Sequence, residues 1–250
     1  HERSSAASDV YKRQGSSRGI GKAIVDRYLN EEWTVFGAST TIIPYWKDNP
    51  RYRHAVIDLN MFKDAIDQWV NSLQKFENFP EVLINNAAVF IDSPISSSDD
   101  SWLENWNKTI SINLTASSYL AKKVIKIWSS LHIDGILINI SSRAAQRGDT
   151  EEFAAYAASK AGLSAFVKSV ARNYGKQGIT AFSIAPGFVQ TDMAIESIKT
   201  YGEEYLTQGL ALDAIVPPSD IATLAYRIGT GELKHSTGQT FHINSGSYLF

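Results

Sequence analysis

The sequence predicts a single α/β domain built on a doubly wound parallel sheet with helices on both faces. Short apolar runs alternate with segments of helical period along the chain, the pattern that crossover βαβ units require. Polar clusters follow those runs directly, where the strands of an open sheet present their carboxyl ends to a ligand. A length of 250 residues, 44% hydrophobic and 20% charged, suits one domain with a sizeable core and no linker.

A parallel strand covered on both faces should read as a near-continuous Val, Ile or Leu run. Residues 1–14 read otherwise, with Asp9, Lys12 and Arg13 in the span where the first strand is expected; buried unpaired charge is expensive. The segment 1–14 is therefore expected to be non-native, adapter-like sequence or disordered, and the functional domain to cover 15–250. A poor or absent central strand should lower stability and weaken ligand binding, and an apolar replacement of residues 8–14 should raise the melting temperature. Next, Gly15-Ser16-Ser17-Arg18-Gly19-Ile20-Gly21 feeds a helix over 19–30, whose Ile20, Ala23, Ile24 and Tyr28 fall on one face. Strands are expected near 34–38, 53–57, 81–85, 135–141, 180–184 and 239–243, and helices near 61–76, 101–130, 153–174 and 218–228. The stretch 191–213 is long for a connection and is the expected substrate cover.

A formal charge of −2 with scattered basic residues offers no field for nucleic acid or anionic membrane. Zero cysteines exclude disulfides and thiolate metal sites, and five separated histidines lack ligand spacing, so no metal is expected. The apolar runs are too short to span a bilayer and no signal-like segment opens the chain, so cytoplasmic residence is expected.

Chemistry concentrates in Tyr156-Ala157-Ala158-Ser159-Lys160, where four-residue spacing stacks a phenol and an ammonium on one helix face. A free phenol keeps its proton to a pKa of about 10, and a fixed cation nearby should bring it toward useful acidity. On its own, such a pair is as well read as a surface lysine packed over a tyrosine. Its company changes the balance. The glycine turn at a helix start provides free amides and a positive dipole end for a pyrophosphate. Asp58, Asn85-Asn86-Ala87-Ala88, Ser141-Ser142 and Pro186-Gly187 each follow an expected strand, so one sheet edge collects the polar clusters.

With these residues the chain resembles the short-chain dehydrogenases/reductases from Gly15 to its C-terminus. Gly15, Gly19 and Gly21 match the family's glycine loop, Asn85-Asn86-Ala87-Ala88 its Asn-Asn-Ala-Gly, Asn113 its helix asparagine, Ser142, Tyr156 and Lys160 its catalytic trio, and Pro186-Gly187 its cofactor-flanking turn. Ser-Arg-Gly-Ile-Gly, Ala-Pro-Gly-Phe-Val-Gln-Thr-Asp-Met and the ending Gly-Gln-Thr-Phe-His-Ile-Asn-Ser-Gly look most like the 3-oxoacyl-acyl-carrier-protein reductase branch. Gln14 departs from the family's threonine, and the interval from Ser142 to Tyr156 is one residue longer than the common spacing, which places an insertion around Gly148-Asp149-Thr150.

The resemblance implies a Rossmann fold and hydride transfer between a nicotinamide and a carbonyl or secondary alcohol. Tyr156 would protonate the alkoxide, Lys160 would lower its pKa and bind the nicotinamide ribose, Ser142 would hydrogen-bond the substrate oxygen, and Asn113 would hold a water linking Lys160 to solvent. Ser141 competes with Ser142 for its role, and a buried structural asparagine is the plain alternative for Asn113. Cofactor contacts are expected from Gly15, Ser17, Arg18, Gly19, Ile20, Gly21, Ser39, Thr40, Asp58, Asn86, Ala87, Tyr156, Lys160, Pro186, Gly187, Val189 and Thr191, with Asp58 at the adenine amino group.

No acid occurs from Trp33 to Lys47, where one would bind the ribose hydroxyls and repel a 2′-phosphate. Ser39, Thr40 and the cation Arg18 instead favour NADP(H) over NAD(H). The resemblance implies a small carbonyl compound or alcohol as substrate. A 3-oxoacyl thioester leads, with sugar, polyol or steroid-like alcohols left open, and the pocket walls should come from 144–153, Phe188 and the cover. A dinucleotide-binding scaffold without turnover is the reading from a different class. Apolar positions on the helices over 101–130 and 153–174 (Trp102, Trp106, Ile110, Tyr119, Leu120, Phe166, Val167, Val170) point to a homo-oligomer, a tetramer or dimer; burial in the monomer is the alternative.

Overall fold

Extended segments form where the apolar runs lie, and they assemble through backbone pairing into one parallel sheet. The computed structural model describes residues 4–8, 18–41, 45–191, 207, 209–212 and 214–249. Its strands are β1 (Ser4–Ser8), β2 (Thr34–Ser39), β3 (Tyr52–Val56), β4 (Val82–Asn85), β5 (Ile136–Ile140), β6 (Thr180–Pro186) and β7 (Thr240–Ile243). They lie in the order β3-β2-β1-β4-β5-β6-β7. Connectivity reverses between β1 and β4, which creates the crevice in which open α/β sheets bind ligands.

The first strand corrects the sequence reading. Ser4–Ser8 pairs with β2 from Ser4↔Thr34 to Ser8↔Ala38, and with β4 from Ser5↔Val82 to Ser8↔Asn85. A ladder needs only an extended backbone offering N–H and C=O groups, and a Ser/Ala run meets that requirement without the apolar signature that was sought. The strand also lies upstream of the span where it was expected. Asp9, Lys12 and Arg13 are outside it, and outside the described residues.

The helices are α1 (Gly19–Asn30), α2 (Phe62–Leu73), α3 (Asp99–Ile110), α4 (Ser117–Leu131), α5 (Ala144–Arg147), α6 (Ala154–Tyr174) and α7 (Pro218–Gly229). A π-helical turn, Ser111–Ala116, joins α3 to α4, so the single helix expected over 101–130 carries a wide turn at Asn113. Ser98 caps α3 by accepting from the Ser101 amide at 3.4 Å, and Asp99 and Asp100 complement its positive end.

Strand side chains alternate between two cores. Leu83 and Leu137 face Ile66, Val70, Leu120, Val124, Trp128 and Val167 on one side of the sheet. Val82, Ile84, Ile138 and Ile184 face Ile24, Val25, Tyr28, Ile221 and Ile228 on the other. Each such side chain contributes about 1.5–3 kcal/mol relative to exposure. Of the residues expected at an assembly surface, Leu120, Val167 and Val170 are buried in this core, whereas Trp102, Trp106, Ile110, Tyr119 and Phe166 are only half-buried. Among the described residues, no helix is long and apolar enough to cross a membrane.

Candidate active site

At the sheet's carboxyl edge, α1 begins with Arg18 in extended conformation, no side-chain cap and no acid in its first turn. Its leading amides and positive dipole end are thus arranged for an anion. Gly19 has φ +55, and a Cβ there would come to 3.0 Å from Thr191 Cγ2. This packs the helix start against the segment after β6. Gly15 and Ser17 lie outside the described residues, as does most of the expected cover over 191–213.

Beyond β2, the Ser39 hydroxyl donates to the Thr41 carbonyl at 2.7 Å. The same turn is held by a residue not singled out from sequence. His54 Nε2 lies 3.1 Å from the Thr41 carbonyl and 3.2 Å from Ser39 Oγ, while its Nδ1 lies 3.0 Å from the Tyr52 hydroxyl. Burial lowers the His54 pKa, opposed by the bond to the Thr41 carbonyl. Thr40 is half-buried in this turn, and Asp58 stands exposed past β3.

Beyond β4, Asn85 donates to the Ser117 carbonyl at 3.1 Å and to Asn139 Oδ1 at 2.9 Å, locking the strand to α4 and β5. Asn86 and Ala87 are buried behind it. Asn113, in the π turn, accepts from the Val89 amide at 2.7 Å and donates to the Val89 carbonyl at 2.9 Å. It also donates to Ser159 Oγ at 3.1 Å. Ser159 in turn donates to the Tyr156 carbonyl at 2.7 Å, which makes a continuous path from Asn113 to the helix turn bearing the phenol. Gly162 permits the close crossing, since a Cβ there would meet Leu114 Cδ2 at 2.8 Å.

Geometry separates the two serines after β5. Ser141 Oγ is buried, 2.9 Å from Ser164 Oγ and donating to the Lys160 carbonyl at 3.1 Å, so it anchors α6. Ser142 Oγ accepts from the Ala144 amide at 3.1 Å and hydrogen-bonds Tyr156. Lys160 is 2% exposed, donates from Nζ to the Ile140 carbonyl at 2.8 Å, and holds Nζ 5.7 Å from the Tyr156 ring centroid. Ser142, Tyr156 and Lys160 therefore converge, with Asn113 joined through Ser159.

The expected lowering of the phenol pKa by Lys160 is not found. Burial pushes Tyr156 up to about 12, the Ser142 hydrogen bond lowers it, and the Asp149 carboxylate raises it. Desolvation, which disfavours the charged phenolate, is the largest cause of the shift. Asp149 belongs to the loop after α5, which bends at Gly148 with φ +80. A cleft of about 330 Å³ opens there, lined among others by Arg143, Asp149 and Phe188, with the Arg143 guanidinium 4.3 Å from the Phe188 ring centroid.

Pro186 accepts from the Arg143 amide at 2.9 Å, and the Gly187 amide donates to the Ile243 carbonyl at 2.8 Å. Val189 bridges to Val216, and Thr191 Oγ1 donates to the Val189 carbonyl at 3.3 Å. These bonds hold the segment after β6 against the site. Sequence reasoning missed His54, Ser159 and Phe90, whose ring meets that of Tyr156 edge-to-face; of these, only Ser159 lay inside a quoted motif.

Comparison with known proteins agrees with this geometry. The family model described as short chain dehydrogenase matches residues 14–202. The 3-oxoacyl-acyl-carrier-protein reductase FabG of Vibrio harveyi is 28% identical over 242 residues, covering 94% of this chain and 95% of its own. The enzyme of the same name from Vibrio cholerae is 30% identical over 245 residues, with the same coverage. A solved structure of a 4-hydroxyisoleucine dehydrogenase complexed with NADH superposes with a TM-score of 0.86 at 28% identity, covering 97% of this chain and 98% of that one. The chain belongs to the short-chain dehydrogenase family of oxidoreductases.

Proposed function

We propose that the protein is an NADP(H)-dependent reductase of a carbonyl compound, with a 3-oxoacyl thioester as the leading substrate, and that Tyr156 is its general acid. The carrying observation is the cluster in which the half-buried Ser142 and Tyr156 meet beside the buried Lys160 ammonium. The residues fit a dinucleotide, since α1 presents an uncapped, acid-free start to an anion. When bound, a dihydronicotinamide supplies hydride to the carbonyl carbon. Ser142 would hold the carbonyl oxygen as negative charge develops there. Tyr156 would pass its phenolic proton to that oxygen, and Lys160 would stabilise the resulting phenolate. Asn113 keeps the Tyr156 turn in place through Ser159. The relatives named as 3-oxoacyl-acyl-carrier-protein reductases support the thioester.

Mixing NADPH with a panel of ketones and 3-oxoacyl thioesters tests this reading: loss of absorbance at one or more substrates is the expected result. Tight NADPH binding with no loss at any substrate would favour a non-catalytic scaffold instead.

The pH dependence follows from the raised phenol pKa. At neutral pH, Tyr156 carries its proton, so reduction, in which it gives that proton, should be nearly flat between about pH 6 and 9. Alcohol oxidation needs the phenolate and should rise about tenfold per pH unit over the same range. Rates in both directions check the sign; an oxidation rate flat with pH would exclude Tyr156 as the base.

NADP(H) is favoured by Arg18 and Thr40 and by the absence of an acid from Trp33 to Lys47. Arg18→Glu is expected to raise the KM for NADPH about tenfold or more, with little change for NADH. Equal effects on the two would remove Arg18 from phosphate recognition. Assembly into a dimer or tetramer is part of the same reading, supported by the half-buried Trp102, Trp106 and Phe166, and light scattering tests it.

A further inference from the structure

We infer that Phe90 and Phe153 form a preset aromatic shelf that receives the apolar group flanking the substrate carbonyl and so sets which ketones are turned over. This rests on the reading of Tyr156 as the acid. The two rings stack with centroids 3.8 Å apart and planes at 16°, and Phe90 meets the Tyr156 ring edge-to-face at 4.8 Å and 84°. A substrate whose oxygen reaches the Tyr156 hydroxyl brings its flanking carbons to these rings. Phe90 nevertheless remains 37% exposed, an unusual fate for a large aromatic so tightly placed.

The shelf is held from both sides. Asn113 occupies the amide and the carbonyl of Val89, the residue before Phe90. A few residues on, the Ser93 amide donates to the Glu152 carbonyl at 2.7 Å and the Ile95 amide to Glu151 Oε2 at 3.1 Å, which ties this segment to the turn leading into Phe153. Phe153 immediately precedes α6, so its position is set together with that of Tyr156. A rigid aromatic surface gives contact area at little ordering cost on binding, and it rewards apolar area that a short substrate does not carry.

The test compares acetoacetyl and 3-oxodecanoyl thioesters of N-acetylcysteamine with NADPH. The wild type is expected to have the larger kcat/KM for the long chain. Phe90→Ala should lower the long-to-short ratio about tenfold, and Phe90→Leu by less. NADPH binding, followed by fluorescence, reports whether each variant is folded. Should Phe90→Ala lose it, Phe153→Leu is read by the same ratio and is expected to fall in the same direction. A ratio unchanged in variants that bind NADPH overturns the shelf. A wild type that binds NADPH but reduces neither thioester and no simple ketone overturns the parent reading, an outcome distinct from an unchanged ratio.

Discussion

Tyr156→Phe is expected to lower kcat for carbonyl reduction by about 10²–10⁴-fold, the range typical of a positioned proton donor, while NADPH binding survives. The substitution keeps the ring that packs against Phe90 and removes only the hydroxyl bonded to Ser142. The aromatic contact, the α6 turn held by Ser159 and the Lys160 bond to the Ile140 carbonyl have no reason to change. Steady-state kinetics should therefore show the loss mainly in kcat, as for an interaction made in the transition state. A comparable rise in KM with kcat preserved would assign the hydroxyl to substrate binding instead.

Ala6→Pro is expected to destabilise the fold by at least about 3 kcal/mol, the scale of a proline forced into regular structure. Ala6 lies in the middle of β1, opposite Phe36 of β2 and Leu83 of β4. Proline has no N–H to give to a ladder and belongs at sheet edges, whereas β1 has a neighbour on each side. Thermal unfolding should report a fall of roughly 6–12 °C for a domain of this size. NADPH affinity should fall as well, because the crevice between β1 and β4 is where open sheets of this kind bind their ligands. Unchanged melting would mean that residues 4–8 do not fill the centre of the sheet.

The fold was legible wherever burial on both faces left an apolar run, as in Val82-Leu83-Ile84 and Ile136 to Ile140. It was not legible at β1, because Ser-Ser-Ala-Ala-Ser has neither the hydrophobicity nor the propensity of a central strand and its pairing comes from backbone groups alone. The apolar periodicity of 101–130 gave a helix but could not reveal the π turn at Asn113, since a one-residue change in hydrogen-bond spacing hardly disturbs that pattern. Within the site, the positions of Tyr156 and Lys160 followed from helical spacing. Which of Ser141 and Ser142 faces the phenol did not, because adjacent residues differ only in the direction they point. The direction of the phenol's pKa was missed for a related reason: sequence places the ammonium near the ring but says nothing of the burial that raises the pKa. Phe90 lies 66 residues from Tyr156, and only the fold brings the two rings together.

The central claim is that this site moves a hydride to a carbonyl carbon and a proton from Tyr156 to the oxygen. Turnover with NADPH deuterated at the transferring position of nicotinamide C4 tests it most directly, with the product analysed by mass spectrometry and NMR. Deuterium on the carbinol carbon, in step with the loss of NADPH absorbance, is the predicted result. NADPH held tightly with its absorbance intact, or product carrying no deuterium at that carbon, would contradict the account.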